Sequence, residues 1–252
     1  MEEHALSSSV SELTNDKAPK PQLQKNDSAK LFRAGEDWEY NACLSYLPDN
    51  LGSYTSGYQE AMHRLFETIR VSVKQGNRSD LDIFVFPLVF VTRQYIELSL
   101  KRLLRDGKRL LGELQQNDPG FPATHNLIHL WTGNEEEENQ EKGKTIRKEE
   151  ACKSFLCKIG KKHEKECPEL NIENQSMQEV EACLRRFSEV DDKSFAFRYP
   201  TNKKNQSSID SKLLHINILL FEEVMEKLET FFDDTSLKIL LIIEYKQEHS
   251  NM

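Results

Sequence analysis

The chain has 252 residues, 37% hydrophobic and 30% charged, with a formal net charge of −8. That is room for one large domain or two small ones, of ordinary if slightly polar globular composition. The acidic balance argues against an overall basic footprint for nucleic acid and leaves only a local basic patch. No run reaches the roughly 20 apolar residues a bilayer span needs, so no membrane association is expected.

Residues 1–29 are rich in Ser, Lys, Asn, Gln and Pro and are expected to be a disordered tail ahead of a single domain over 30–252. The first residues lack a basic start followed by an apolar core. A cytoplasmic protein with its five cysteines reduced is therefore expected. Trp38, Tyr40, Leu44, Tyr46 and Leu47 form the first apolar cluster, either a short helix or an extended arm.

The first long helix is expected over 54–75, with Ser56 and Gln59 as a capping box. Its apolar stripe is Tyr58, Met62, Leu65, Ile69 and Val73, and Gly76-Asn77 stops it. The second, over 82–105, is the element around which the rest is organised. Ile83 to Val91 is apolar on almost every side and is expected to be buried all round. Pro87 is placed near the helix start, where proline is tolerated. Asp106-Gly107 is expected to end or interrupt this helix, and Asp118-Pro119-Gly120 to form a turn.

His125 to Trp131 reads as one or two helical turns. Residues 132–175 form a charged insertion, with Ile146, Phe155, Leu156 and Ile159 as the few anchors of a helix within it. A third long helix is expected over 176–189 with Ser176 and Glu179 as its capping box. A fourth is expected over 208–232, opened by Ser207 or Asp210. Leu237 to Tyr245 is a final apolar run, helix or strand. No alternating run is long enough for a sheet, so the fold class is all-α, an antiparallel helical bundle with a charged insertion between its second and third long helices.

Arg93, Glu97 and Lys101 fall at i, i+4 and i+8 and make one polar stripe on the second helix. On an exposed edge such a stripe does little. Next to a buried stretch its charges must be paired or used, which points the stripe inward, toward His125, Asn126 and His129 or toward the Phe197-Arg198-Tyr199-Pro200 loop. His125 and His129, at i and i+4, would share a helix face; one is expected in solvent and the other lining or capping the cleft, with general-base work open to either. Cys152, Cys157, His163 and Cys167 have the ligand types for structural zinc but an unfamiliar spacing. They are read as unrelated groups, with no metal or cofactor expected.

The run Phe86 to Lys101 resembles the central helix of HEPN-type helical domains. Asp37-Trp-Glu-Tyr-Asn-Ala42, Thr124-His-Asn-Leu-Ile-His-Leu-Trp131 and Ser194-Phe-Ala-Phe-Arg-Tyr-Pro200 fit the same pattern. The resemblance implies a four- to five-helix bundle that often dimerises and often acts as a metal-independent endoribonuclease, in antiviral defence or as a toxin-type effector. The family's usual signature is an Arg followed after four to six residues by a His. Here no arginine has that spacing: Leu98 to Leu100 follow Arg93, and Lys203 to Asn205 follow Arg198. The resemblance then puts Arg93, Glu97, His125 and Arg198 in the catalytic role and Lys101, Asn126, His129 and Tyr199 in substrate binding, with RNA as the partner. The alternative is an inactive bundle that dimerises or docks on a protein partner encoded nearby.

Overall fold

The computed structural model describes residues 23, 25, 27–44, 50–133, 151–163 and 174–249. The chain divides into two compact units, 1–48 and 49–252. In the first, a short 3-10 turn at Asp27–Lys30 is followed by a second at Trp38–Tyr40, which is enclosed by a clasp in which the Asn41 side chain accepts from Gly35 N and donates to Gly35 O. Trp38, Tyr40 and Leu44 are exposed. Most of the tail expected over 1–29 lies outside the described residues.

The second unit is helical: α1 Leu51–Lys74, α2 Ser79–Leu111, α3 Leu127–Thr132, α4 Cys152–His163, α5 Asn174–Asp191 and α6 Ile218–His249. Among the described residues there is no strand, only an isolated bridge between Thr201 and Ser207. The all-α expectation holds. α2 packs against α1, α3, α4 and α6, and α5 packs on α3. The core runs from Met62, Phe66 and Ile69 of α1 through Leu88, Ile96, Leu100 and Leu104 of α2 to Leu228, Phe232 and Ile239 of α6. α2 contains an apolar window of membrane-spanning length, but half of that window is buried inside the unit, as expected for the central helix of a bundle.

Helix ends depart from the expected ones for local reasons. α1 starts at Leu51, so Ser56 is interior and is no cap. Its end is as expected: Gly76 has φ 82°, and Asn77 N donates to Ser72 O. α5 starts at Asn174, which places Ser176 inside it. α2 passes through Asp106-Gly107 to Leu111 and ends at Gly112, which has φ 76°. A Cβ on Gly107 would lie 3.5 Å from Ile159 Cδ1 and 3.6 Å from Phe155 Cβ, so α4 packs directly over α2 at Gly107. With Phe155, Leu156 and Ile159 buried, this part of the charged insertion belongs to the core; 134–150 and 164–173 lie outside the described residues.

The fourth long helix starts at Ile218. Asn217 Oδ1 accepts from Leu219 N and Leu220 N and caps it. Asp210 instead accepts from Lys212 N in a turn of its own. The run Leu237–Tyr245 continues α6 without a break.

The largest correction concerns the start of α2. Ile83 is 60% and Phe86 46% exposed, whereas Arg93, Glu97, Leu100 and Leu104 are buried. This half of α2 packs on one side against the segment carrying Ala196 and Phe197, through Val85, Val89 and Phe90, and is open on another. A helix that is apolar all round is buried all round only if neighbours cover every side, and composition does not count neighbours. Pro87 sits about two turns inside the helix, on that open side, where water can serve the carbonyl its missing N–H leaves free.

Candidate functional site

Arg93 is fully buried and Glu97 is 1% exposed, so the polar stripe faces inward as expected. The guanidinium is an organiser of backbone. Its Nε donates to Asp191 O at 2.9 Å, and its Nη2 donates to Asp192 O at 2.9 Å and to His125 O at 2.7 Å. Nη1 reaches Glu97 Oε2 at 3.4 Å. Asp191 is the last residue of α5, so Arg93 serves carbonyls that a helix end leaves without partners and places positive charge where the helix dipole is negative. Burial pulls the Arg93 pKa below its ordinary value, against the pull of Asp191 and Glu97. The group stays a cation because carboxylates and carbonyls surround it.

Glu97 Oε1 accepts from Lys101 Nζ at 2.7 Å and lies 2.9 Å from His125 Nδ1. An ionised carboxylate can only accept, so Nδ1 carries the proton in this bond and Nε2 of the neutral ring is left with a lone pair. The carboxylate is 1% exposed and the imidazole 72% exposed. The result is a surface histidine oriented by a buried carboxylate. Its backbone is tethered as well, since Arg93 holds the His125 carbonyl. Lys101 also lies over the Phe121 ring, 5.5 Å from its centroid.

Asn126 caps α3: its Oδ1 accepts from His129 N at 2.9 Å, and its Nδ2 donates to Asp192 Oδ1 at 2.6 Å. His125 therefore precedes α3, and the expectation that His125 and His129 share a helix face fails. His129 enters the arrangement through its backbone N–H, as a capped residue of the first turn. Asp191 Oδ1 in turn accepts from Phe195 N and Ala196 N, which fixes the chain that leaves α5.

Arg198 and Tyr199 stand apart from this network. The Arg198 guanidinium lies 5.7 Å from the Phe90 ring centroid and 5.3 Å from that of Tyr199, and Tyr199 stacks on Phe195 at 4.8 Å. Phe90 precedes Arg93 by about one turn of α2, so Arg198 neighbours the node without bonding to Glu97 or His125. Of the four residues to which the resemblance gives the catalytic role, Arg93, Glu97 and His125 are bonded to one another, and Arg198 is not bonded to them among the described residues. Of the cysteine–histidine quartet, Cys152 is buried with its thiol on Leu100 O at 3.3 Å, Cys157 is exposed and His163 is buried. Cys167 lies outside the described residues. Cys152 and Cys157 are five residues apart on α4 and point to different sides, and burial raises the Cys152 pKa.

Asp191 and Asp192 are the functional residues that sequence reasoning missed. Arg93 binds their carbonyls, which no side-chain pattern announces. One signal was there: two acids at a helix C-terminus oppose the helix dipole and call for a cation.

The arrangement offers an exposed imidazole lone pair beside positive charge and suits proton abstraction near an anion. Compared with protein-family models, curated proteins and solved structures, the chain matches none of them.

Proposed function

We propose that this chain is a HEPN-like protein that binds RNA and cleaves it, as a defence or toxin-type effector. The observation that carries the reading is the Glu97–His125 pair, with the carboxylate buried and the imidazole in solvent. In this reaction His125 Nε2 takes the proton of a ribose 2′-hydroxyl. The 2′-oxygen attacks the adjacent phosphorus, the bond from phosphorus to the 5′-oxygen breaks, and that oxygen leaves as a hydroxyl with a proton from water, while His125 returns the 2′-proton to solvent. The products are a 2′,3′-cyclic phosphate and a 5′-hydroxyl end. Glu97 keeps the ring in the tautomer with Nε2 free and stabilises the imidazolium that forms. Arg93 supports the site but cannot receive the phosphate, because its donors are committed to carbonyls and Glu97. Arg198, whose guanidinium lies over the Phe90 and Tyr199 rings, stands apart from this pair and is read as holding the RNA strand rather than the reacting phosphate.

The test is incubation of purified protein with total RNA, transfer RNA and a uridine oligomer, alongside the same oligomer with 2′-deoxy sugars. Cleavage of the ribose substrates alone, with cyclic phosphate ends, is expected. Intact RNA throughout, or cleavage of the deoxy oligomer as well, removes the reading.

A second reading has its own observation. A groove of about 330 Å³ lies between the start of α2 and the segment before α6, lined by Leu81, Val85, Phe86, Phe197, Leu213 and Leu214. Ile83, Phe86 and Leu214 beside it are exposed, an apolar surface of the kind that interaction sites carry. On this reading the bundle is inactive and dimerises or docks on a protein. Light scattering coupled to gel filtration of wild type and Phe86→Glu decides: a dimer that the substitution dissociates supports it, and a monomer in both cases with no co-purifying partner counts against it.

A further inference from the structure

The segment joining α5 to α6 departs sharply from the charge balance of the chain. Residues 193–209 hold Lys193, Arg198, Lys203 and Lys204 and no acidic residue, in a chain of net charge −8. All four side chains are exposed. Elsewhere Arg64, Arg70, Arg102, Arg185 and Arg186 are each paired with a carboxylate. Arg198 is held by the Phe90 and Tyr199 rings, and its guanidinium makes no hydrogen bond or ion pair among the described residues. Rings fix the plane of a guanidinium without consuming its donors, so the fork is oriented and free.

The lysines are also presented by a built element. Thr201 and Ser207 form a bridge, Ser208 N donates to Pro200 O at 3.0 Å, and Asn202 N donates to Gln206 O at 2.8 Å. Asn202 Oδ1 accepts from Lys204 N and Gln206 N and closes the turn. Lys203 and Lys204 therefore sit at the tip of a small hairpin, with Tyr199 and Arg198 at its base. Tyr199 is 48% exposed and stacked on Phe195.

We propose that this hairpin is a binding platform for single-stranded RNA, separate from the Glu97–His125 pair. Arg198 forks onto one phosphodiester, Lys193, Lys203 and Lys204 meet neighbouring phosphates, and Tyr199 offers its exposed ring to a base. A ring among cations fits a strand with unstacked bases better than a bare polyanion, because phosphate contacts alone leave the aromatic surface unused. The inference rests on the RNA reading above and gives it a substrate class: unpaired RNA, drawn past His125 by a platform whose anchor, Phe90, is about one helical turn from Arg93.

The test is fluorescence anisotropy with a labelled twelve-nucleotide oligouridine, its 2′-deoxy counterpart and inorganic polyphosphate as competitor. Four phosphate contacts on a single strand give a salt slope of about −2.8, so raising salt four-fold should weaken binding about fifty-fold. In the K203Q/K204Q double variant two contacts remain, and the same change should weaken binding only about seven-fold. Tyr199→Ala should weaken binding by at least about five-fold at fixed salt, with an unchanged circular dichroism spectrum. No binding at low salt overturns the proposal. So does binding that neither variant alters, or binding that polyphosphate replaces while Tyr199→Ala has no effect. The two proposals fail separately. Binding with no RNA cleavage removes the nuclease and leaves the platform, and cleavage undiminished in the platform variants removes the platform and leaves the nuclease.

Discussion

Arg93→Met is the perturbation that weighs the buried node. Methionine keeps most of the stem's volume and removes the fork, so the loss is electrostatic rather than a cavity. Four charge-assisted bonds disappear, to Asp191 O, Asp192 O and His125 O at 2.7–2.9 Å and to Glu97 Oε2 at 3.4 Å. Bonds of this kind are worth about 1.5–3 kcal/mol each, but they share one donor group and do not add. Glu97 keeps Lys101 at 2.7 Å, and Asp192 is exposed, so water can serve its carbonyl. Removing one partner of a buried pair costs roughly 3–5 kcal/mol, and that range is expected here. It is a large share of a typical 5–15 kcal/mol, and for a unit of this size it lowers the melting temperature by about 6–20 °C. Urea denaturation followed by helical circular dichroism measures it, with the slope against urea unchanged. A variant within about 1 kcal/mol of wild type would show that the end of α5 and the His125 turn do not depend on the guanidinium, and the structural argument for the node would fall.

Four further outcomes concern other parts of the unit. Gly107→Ala should stabilise by up to about 1 kcal/mol, because a Cβ there meets α4 at ordinary contact distances inside a continuous helix. Gly120→Ala should destabilise, because φ is 82° and the Cβ would fall 2.8 Å from Arg105 Cβ; thermal melts of the pair check both signs. Asp233 is held above the usual carboxylate range, first by burial and then by Glu229. A raised folded pKa means that ionisation costs stability, a cost fully present at neutral pH and relieved as pH falls through the raised value. Asp233→Asn should therefore raise the melting temperature by about 1–2 °C at pH 7, on the scale of a surface substitution, and the gain should fade in acid. Pulse alkylation with peptide mapping should modify Cys157 in the native protein and spare Cys152, which is buried with a raised pKa, until denaturant is added.

Much of the fold was legible because helical period and the glycine stop of a helix are local. The four long helices, the Gly76 stop and the inward turn of Arg93, Glu97 and Lys101 all came from spacing and from the cost of burying charge. What was not legible depended on tertiary neighbours. Ile83 and Phe86 are as apolar as Leu100, and they are exposed because no helix covers them among the described residues. Asp210 and Asn217 are both good caps; which one opens α6 depends on the segment 193–216, which is taken up by turns of its own. The resemblance grouped Arg198 with Glu97, yet its guanidinium lies over Phe90 and Tyr199, and rings carry no charge pattern to read. Apart from Glu97, the partners of Arg93 are backbone carbonyls, which side-chain motifs do not encode.

The most direct measurement of the account is the single-turnover rate of RNA cleavage by wild type and His125→Ala. The imidazole is 72% exposed and the His125 carbonyl, which stays in the variant, keeps its bond to Arg93. The substitution should therefore leave the melting temperature nearly unchanged. Loss of a general base predicts a fall of about 10²–10⁴-fold in rate. A variant that cleaves as fast as wild type, or a wild type that leaves RNA whole, would contradict the central claim that the buried Glu97 orients His125 for chemistry.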